Sequence, residues 1–359
     1  MNAKQTRKAA QKKKGAPKKK VAPKKKAQPK KKKSAASKRI NTKAVVKEHV
    51  EGRFRICVCI DGSDECYQSL RYAARLGGGV DADIVLLYIR PTDQGLRSGG
   101  LEVSVARENM LKWGIELPGI KYLKKGCEVL KELGLMSGDD WREEYIHTDV
   151  DSDPLGDNKI NYVNAQGKMV VLKLKVASSI ATGILEQWEL GKYDLIILGA
   201  SSRWSGMART LWDPAVAEKV AIHAPCSVLV ARDLDVGHGH LICTDGSDKS
   251  LEMVCKDAEL ASRCDCPISL MSVAIDVEGE DMAKASVSEA KKMLNSMGIK
   301  VKETITRVGN PVDEIIEAGP DYSLIVVSDS SKTGLQRFFM GSVAFKVMEN
   351  AHNSVMIVR

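Results

Sequence analysis

Two Asp-Gly-Ser triplets, Asp61-Gly62-Ser63 and Asp245-Gly246-Ser247, each close an apolar run and precede a helical pattern. In an open parallel sheet, the carboxyl end of a strand at the point where strand order reverses is where ligands bind. Phosphate chemistry is expected nearer the C-terminus, where Gly341-Ser342-Val343 opens a helical pattern. Free amides and the helix dipole at such a start attract phosphate oxygens, and Ser342 adds a hydroxyl donor. Ser328 and Ser331 stand at a preceding strand end, with Ser330, Ser331, Lys332 and Arg337 as hydroxyl and cationic candidates for the same anion.

Other reactive types carry less. Cys57 and Cys59 alternate along one strand and read as small core residues. Cys264 and Cys266, at a helix end beside Pro267, are the pair to test for thiol reactivity. His238 and His240 flank Gly239 in a linker and suggest only adventitious metal binding. Asp151, Asp153, Asp157 and Asn158 lack EF-hand spacing, so the segment 149–158 is expected to be a solvated polar loop and no metal site is assigned. No catalytic residue is singled out.

Charge is divided along the chain. Residues 1–40 hold 18 of the 55 Lys and Arg and none of the 46 Asp and Glu, so an acidic body follows a polycationic arm. Its Ala-Pro-Lys-Lys-Lys repeat has nothing to bury, and Pro17, Pro23 and Pro29 favour extended polyproline II, about 75 Å for roughly 25 residues. The arm is similar to the tails of linker histones and of some bacterial nucleoid proteins. Non-specific, salt-sensitive contact with a phosphate backbone is one expectation; a solvated tail, anionic lipid and the acidic body are the alternatives. The 43% hydrophobic fraction fits two ordinary cores. Without an apolar span or leader, the chain is expected in the cytosol with reduced cysteines, or beside the nucleoid through its tail.

The positioning elements repeat. Segments matching Cys57–Ser63 and Ser227–Arg232 recur at His240–Ser247 and Ser354–Arg359. Alternating strands and helices imply two five-stranded, doubly wound parallel sheets of Rossmann-like α/β class: domain one over 53–232 and domain two over 240–359, joined by linker 233–239. Domain one carries an inserted region of about 95–175. Within it, helices at 101–113 and 121–133, a strand at 143–147 and a hairpin about Asn164-Ala-Gln-Gly167 are expected, the hairpin being without counterpart in domain two. A helix is expected over 177–190.

This order, with Asp-Gly-Ser ending a strand, Gly309-Asn310-Pro311 before the third helix and Gly341-Ser342-Val343 opening the fourth, resembles the universal stress protein family in tandem form. The resemblance spans 53–359. It implies an adenine nucleotide alpha hydrolase-like fold and ATP or a related adenine nucleotide, with Mg2+ as an accompanying ion and slow hydrolysis at most. Asp245 would hold the nucleoside, Val273 would meet adenine through its backbone, and Gly309 would line the cleft. Ser328, Ser330, Ser331, Gly341, Ser342 and Val343 would form the phosphate frame, although serines replace its two leading glycines. Domain one departs further: Asp61, Ile89 and Gly199 persist, but Asp213-Pro214-Ala215 replaces Gly-Ser-Val, where a carboxylate repels phosphate. The resemblance also implies a pseudo-dimer through Ser227–Ala231 and Ser354–Val358, itself expected to form homo-oligomers. The competing expectations are a nucleic-acid-associated scaffold for the tail and an apolar ligand in domain one beneath a lid from the inserted region.

Overall fold

Val- and Ile-rich runs with no polar alternation demand cover on both faces, and the central strands over 54–59, 84–89, 195–199, 227–231, 324–328 and 354–358 receive it. The computed structural model describes residues 53–78, 81–92, 118–138, 140–150, 153–187, 189–200, 214–232, 238–263, 265–328 and 341–359. Its first copy contains β1 (Phe54–Cys59), α1 (Asp64–Gly78), β2 (Ala82–Pro91), α2 (Pro118–Glu132), β3 (Arg142–Val150), β4 (Asp153–Val163) and β5 (Met169–Ala177). There follow α3 (Ile180–Leu185), β6 (Leu195–Gly199), α4 (Pro214–His223) and β7 (Ser227–Ala231). The second copy runs β8 (His240–Cys243), α5 (Asp248–Arg263), β9 (Ile268–Ala274), α6 (Glu280–Ser296) and β10 (Val301–Val308). It ends with α7 (Pro311–Ala318), β11 (Leu324–Ser328), α8 (Ser342–Asn350) and β12 (Ser354–Val358). The arm and the 101–113 helix lie outside the described residues.

Among the described residues the strands form one sheet in the order β10-β9-β8-β11-β12-β7-β6-β1-β2-β5-β4-β3. Each copy therefore has its own five parallel strands ordered 3-2-1-4-5, reversing direction of progress between β1 and β6 and between β8 and β11. Those two reversals open the crevices where a doubly wound sheet binds ligands. One apolar layer holds Ile56, Val58, Ile242 and Leu270, and the other holds Cys57, Cys59, Leu241 and Met271, so both layers cross the copies.

The copies join where β7 and β12 pair antiparallel, with Leu229 opposite Met356. A reciprocal pair of arginines locks this joint. Buried Arg232 donates to Met348 O at 2.6 Å and Asn353 O at 2.9 Å, at the end of α8. Arg359 donates to Ala224 O at 2.9 Å and to Ala221 O, at the end of α4. Each cation meets the negative end of a helix in the other copy. Burial without a carboxylate partner pushes the Arg232 guanidinium down to about 10.

The insertion differs from the sequence expectation in three ways. β5 pairs parallel with β2 through Ile84 to Pro91, as β10 pairs with β9, so half of the hairpin does have a counterpart in copy two. Only β3 and β4 extend beyond the shared plan. The segment expected as a polar loop at 149–158 is largely strand, because cross-strand partners satisfy its polar groups: Asp157 accepts Val176 N at 2.8 Å and pairs with Lys173 at 3.2 Å. Asn158 accepts the Tyr145 hydroxyl at 2.6 Å. The helix expected over 177–190 shrinks to α3, since β5 runs on to Ala177 and Ser179 caps the helix by accepting Thr182 N at 3.2 Å.

Candidate functional site

In the second copy the chain leaves β8 through Thr244 into the Asp-Gly-Ser turn. Asp245 Oδ1 accepts both the Ser247 amide at 3.0 Å and its hydroxyl at 2.6 Å. Ser247 Oγ in turn accepts Ser250 N at 3.3 Å, so the serine caps α5 and the aspartate holds the cap. These bonds leave Oδ2 of the exposed Asp245 carboxylate available. Thr244 Oγ1 accepts Gly246 N at 3.1 Å and the Ser250 hydroxyl at 3.0 Å, fixing the turn from beneath. Gly246 has φ +75°, and a side chain there would strike Ser286 of α6.

Neighbouring strand ends complete the crevice. Half-buried Val273 stands one residue before the end of β9. Gly309 follows β10 and donates to Ala274 O at 2.8 Å; a Cβ on it would lie 2.7 Å from Glu314 Oε1. Asn310 caps α7 by accepting Val312 N at 3.0 Å. Ser328 is the last residue of β11. Gly341 is the N-cap of α8 and makes no side-chain cap hydrogen bond, and the amides of Ser342, Val343 and Ala344 are the first of that helix. Apolar side chains rim the same end: Ile275 is 80% exposed, Val277 76% and Met282 76%.

The first copy builds the same turn. Asp61 Oδ1 accepts the Ser63 amide at 2.8 Å and hydroxyl at 2.6 Å, and Ser63 Oγ accepts Cys66 N at 3.3 Å. Among the described residues its surroundings are bulkier. The ring of Tyr122 from α2 stands 2.9 Å from where a Gly62 Cβ would be, on the side of the turn that Ser286 takes in copy two. Tyr122 and Tyr88 rings lie 5.9 Å apart, and the Tyr67 hydroxyl donates to Tyr122 O at 3.2 Å. Strand register puts Ala177 where the second copy has Gly309, and Gly199 where it has Ser328. A Cβ on Gly199 would lie 2.8 Å from the Cys66 Cα. Burial pushes the Cys66 thiol up to about 12. Among the described residues a small cavity of about 10 Å³ is lined by Ile60, Asp61, Tyr88, Ile89, Ile180 and Ile184 among others.

The universal stress protein family profile matches residues 128–232 and again 240–359. The chain belongs to the universal stress protein family. Universal stress protein MJ0531 of Methanocaldococcus jannaschii is 31% identical over 141 residues, covering 33% of this chain and 80% of that protein. A putative universal stress protein of Pseudomonas aeruginosa UCBPP-PA14 superposes with TM-score 0.53 at 14% identity, over 88% of this chain and 94% of that one. The functionally unknown protein PA1789 of Pseudomonas aeruginosa PAO1 gives 0.51 at 15% identity with the same coverages. Both likenesses concern the fold, and they span the tandem.

In this universal stress protein tandem, Asp245, Val273, Gly309, Ser328, Gly341, Ser342 and Val343 all fall at the strand-end side of copy two. Asp61, Ile89 and Gly199 gather at the matching place in copy one. Ser330 and Ser331 lie outside the described residues, as do Lys332, Arg337 and Asp213. His240 is not in the linker but opens β8, buried. Sequence reasoning passed over Thr244, Ser286 and the apolar rim. Ile275 and Val277 between acidic residues were the available signal, since apolar side chains in a polar loop mark something to cover. Among the described residues no helix is long and apolar enough to cross a membrane.

Proposed function

We propose that the second copy binds an adenine nucleotide, ATP or a close relative, and that the tandem is a nucleotide-responsive regulatory or protective module in a stress response. The observation that carries the reading is that Asp245, Gly309 and the start of α8 meet at one strand-end crevice of copy two. Asp245 suits ribose hydroxyls, Gly309 permits close approach, and the amides at the start of α8 suit phosphate. The exposed Ile275, Val277 and Met282 offer apolar surface that a planar base would cover. In this reading the nucleotide contacts are Asp245, Val273, Gly309, Ser328, Ser330, Ser331, Gly341, Ser342 and Val343. Copy one serves as a structural partner across β7 and β12. Binding stabilises the closed arrangement of the crevice and reads out as stability.

Gly341→Asp tests the assignment. A carboxylate among the α8 amides should weaken ATP binding at least 100-fold in calorimetry while circular dichroism and melting of the unliganded protein stay unchanged. Undiminished affinity would remove the residue assignment.

The charge of residues 1–40 favours a second role, non-specific binding of nucleic acid through the arm. Deleting those residues should abolish DNA binding in gel shifts and leave nucleotide affinity intact.

A further inference from the structure

A second cluster lies at the opposite ends of the strands from the crevice, in the seam between the copies. His240 opens β8 and pairs with Ile268 of β9, so Cys266, two residues before β9, comes alongside it. The buried imidazole hydrogen-bonds Asp257 of α5, Nδ1 to Oδ2 at 3.3 Å, and also the Cys266 thiol. Asp257 is fully buried and its Oδ1 has no hydrogen-bond partner. From the first copy, Arg75 of α1 reaches across the seam and places Nη2 3.4 Å from Cys266 Sγ. Cys266 thus has a guanidinium and an imidazole beside it and is itself only half-buried.

We propose that Cys266, paired with His240, is a nucleophilic thiolate that hydroperoxides oxidise to a sulfenic acid. Adjacent cations favour the thiolate, and access admits a small oxidant. The thiolate sulfur attacks the distal peroxide oxygen, forming S–O and breaking O–O. Sulfur loses two electrons and the peroxide gains them. The departing alkoxide, or hydroxide from hydrogen peroxide, takes the proton of the His240 imidazolium and leaves as alcohol or water; the transferred oxygen keeps its own hydrogen, so the product is the sulfenic acid of Cys266, and neutral His240 regains its proton from solvent.

The groups facing this pair come from three elements: Asp257 of α5, Arg75 of α1 and the Cys266 segment before β9. Burial alone would push the imidazole down, but Asp257, with Cys266, raises it to about 9. Other thiols have the opposite environment. Burial pushes Cys66, Cys226 and Cys243 up to about 12 and Cys127 to about 11. Cys266, His240 and Asp257 form a chain and not a metal cage: among the described residues no group of three or more His, Cys, Asp or Glu is placed to hold an ion.

The test uses the reduced full-length protein. Limiting iodoacetamide at pH 7, followed by peptide mass spectrometry, should alkylate Cys266 at least tenfold faster than the likewise half-buried Cys255. The rate should be half-maximal below pH 7, against an ordinary thiol value of about 8.5. Hydrogen peroxide with dimedone should label Cys266, and fragment ions separate it from neighbouring Cys264. Arg75→Ala and His240→Asn should each slow alkylation several-fold and move its midpoint upward; if His240→Asn fails to fold, Arg75→Ala decides alone. Alkylation at the Cys255 rate, a midpoint at or above 8.5, or dimedone on another cysteine would overturn the proposal.

Discussion

The two crevices share their backbone plan and differ in what stands against it. Both have an aspartate that holds a serine cap with the same two hydrogen bonds, and both sit at the reversal of a 3-2-1-4-5 sheet. In the first copy Tyr122 packs on the turn glycine and Ala177 takes the place of Gly309. In the second, Ser286 takes the tyrosine's side of the turn and Gly341 begins the helix. The Asp-Gly-Ser turn is therefore a folding device first, needed wherever the strand hands over to its helix. What differs between the copies is the helix that packs against the turn, Tyr122 in one and Ser286 in the other.

The joint between the copies gives the largest expected effect. Arg232→Ala removes a buried cation and leaves the Met348 and Asn353 carbonyls without their donor, a loss of about 2–4 kcal/mol. Thermal melting should fall by several degrees, and by less for the more accessible Arg359→Ala. Equal effects would break the distinction between a buried and a partly buried lock.

A graft of one crevice onto the other is next. Ser286→Tyr should weaken ATP binding at least tenfold in calorimetry with the fold intact by circular dichroism. Asp61→Ala, by contrast, should leave affinity unchanged. Tight binding to Ser286→Tyr would show that the filling residue does not decide the matter.

The smallest effect concerns pH. The folded value of His240 lies above the unfolded one, so its contribution to stability is complete below about pH 6.5 and is lost as pH rises towards about 9. Melting temperature should decline by a few degrees over that window, and His240→Asn should flatten the decline. A slope that persists unchanged in His240→Asn would assign it to other groups.

The sequence makes the tandem plan readable because its central strands are apolar runs that alternate with helical patterns. Ser342–Asn350 and Ser354–Val358 are found where the pattern puts them. The insertion was less readable. Asp157 and Asn158 look like loop residues until Lys173 and Tyr145 are known to face them across a ladder. Nor does linear spacing reveal Tyr122 against Gly62, or Cys266 beside Arg75, 191 positions apart. Those pairings depend on which helix crosses which strand end. The candidate residues around Asp245 were legible through the repeat, and the departure of the first copy was expected from Asp213-Pro214-Ala215; packing adds Tyr122 against the turn.

Stoichiometry tests the central claim most directly. Native mass spectrometry of the full-length chain titrated with ATP should reach one nucleotide per chain, and Gly341→Asp should leave the chain empty. Two nucleotides per chain, or one that survives Gly341→Asp and disappears with Asp61→Ala, would contradict binding in the second crevice alone.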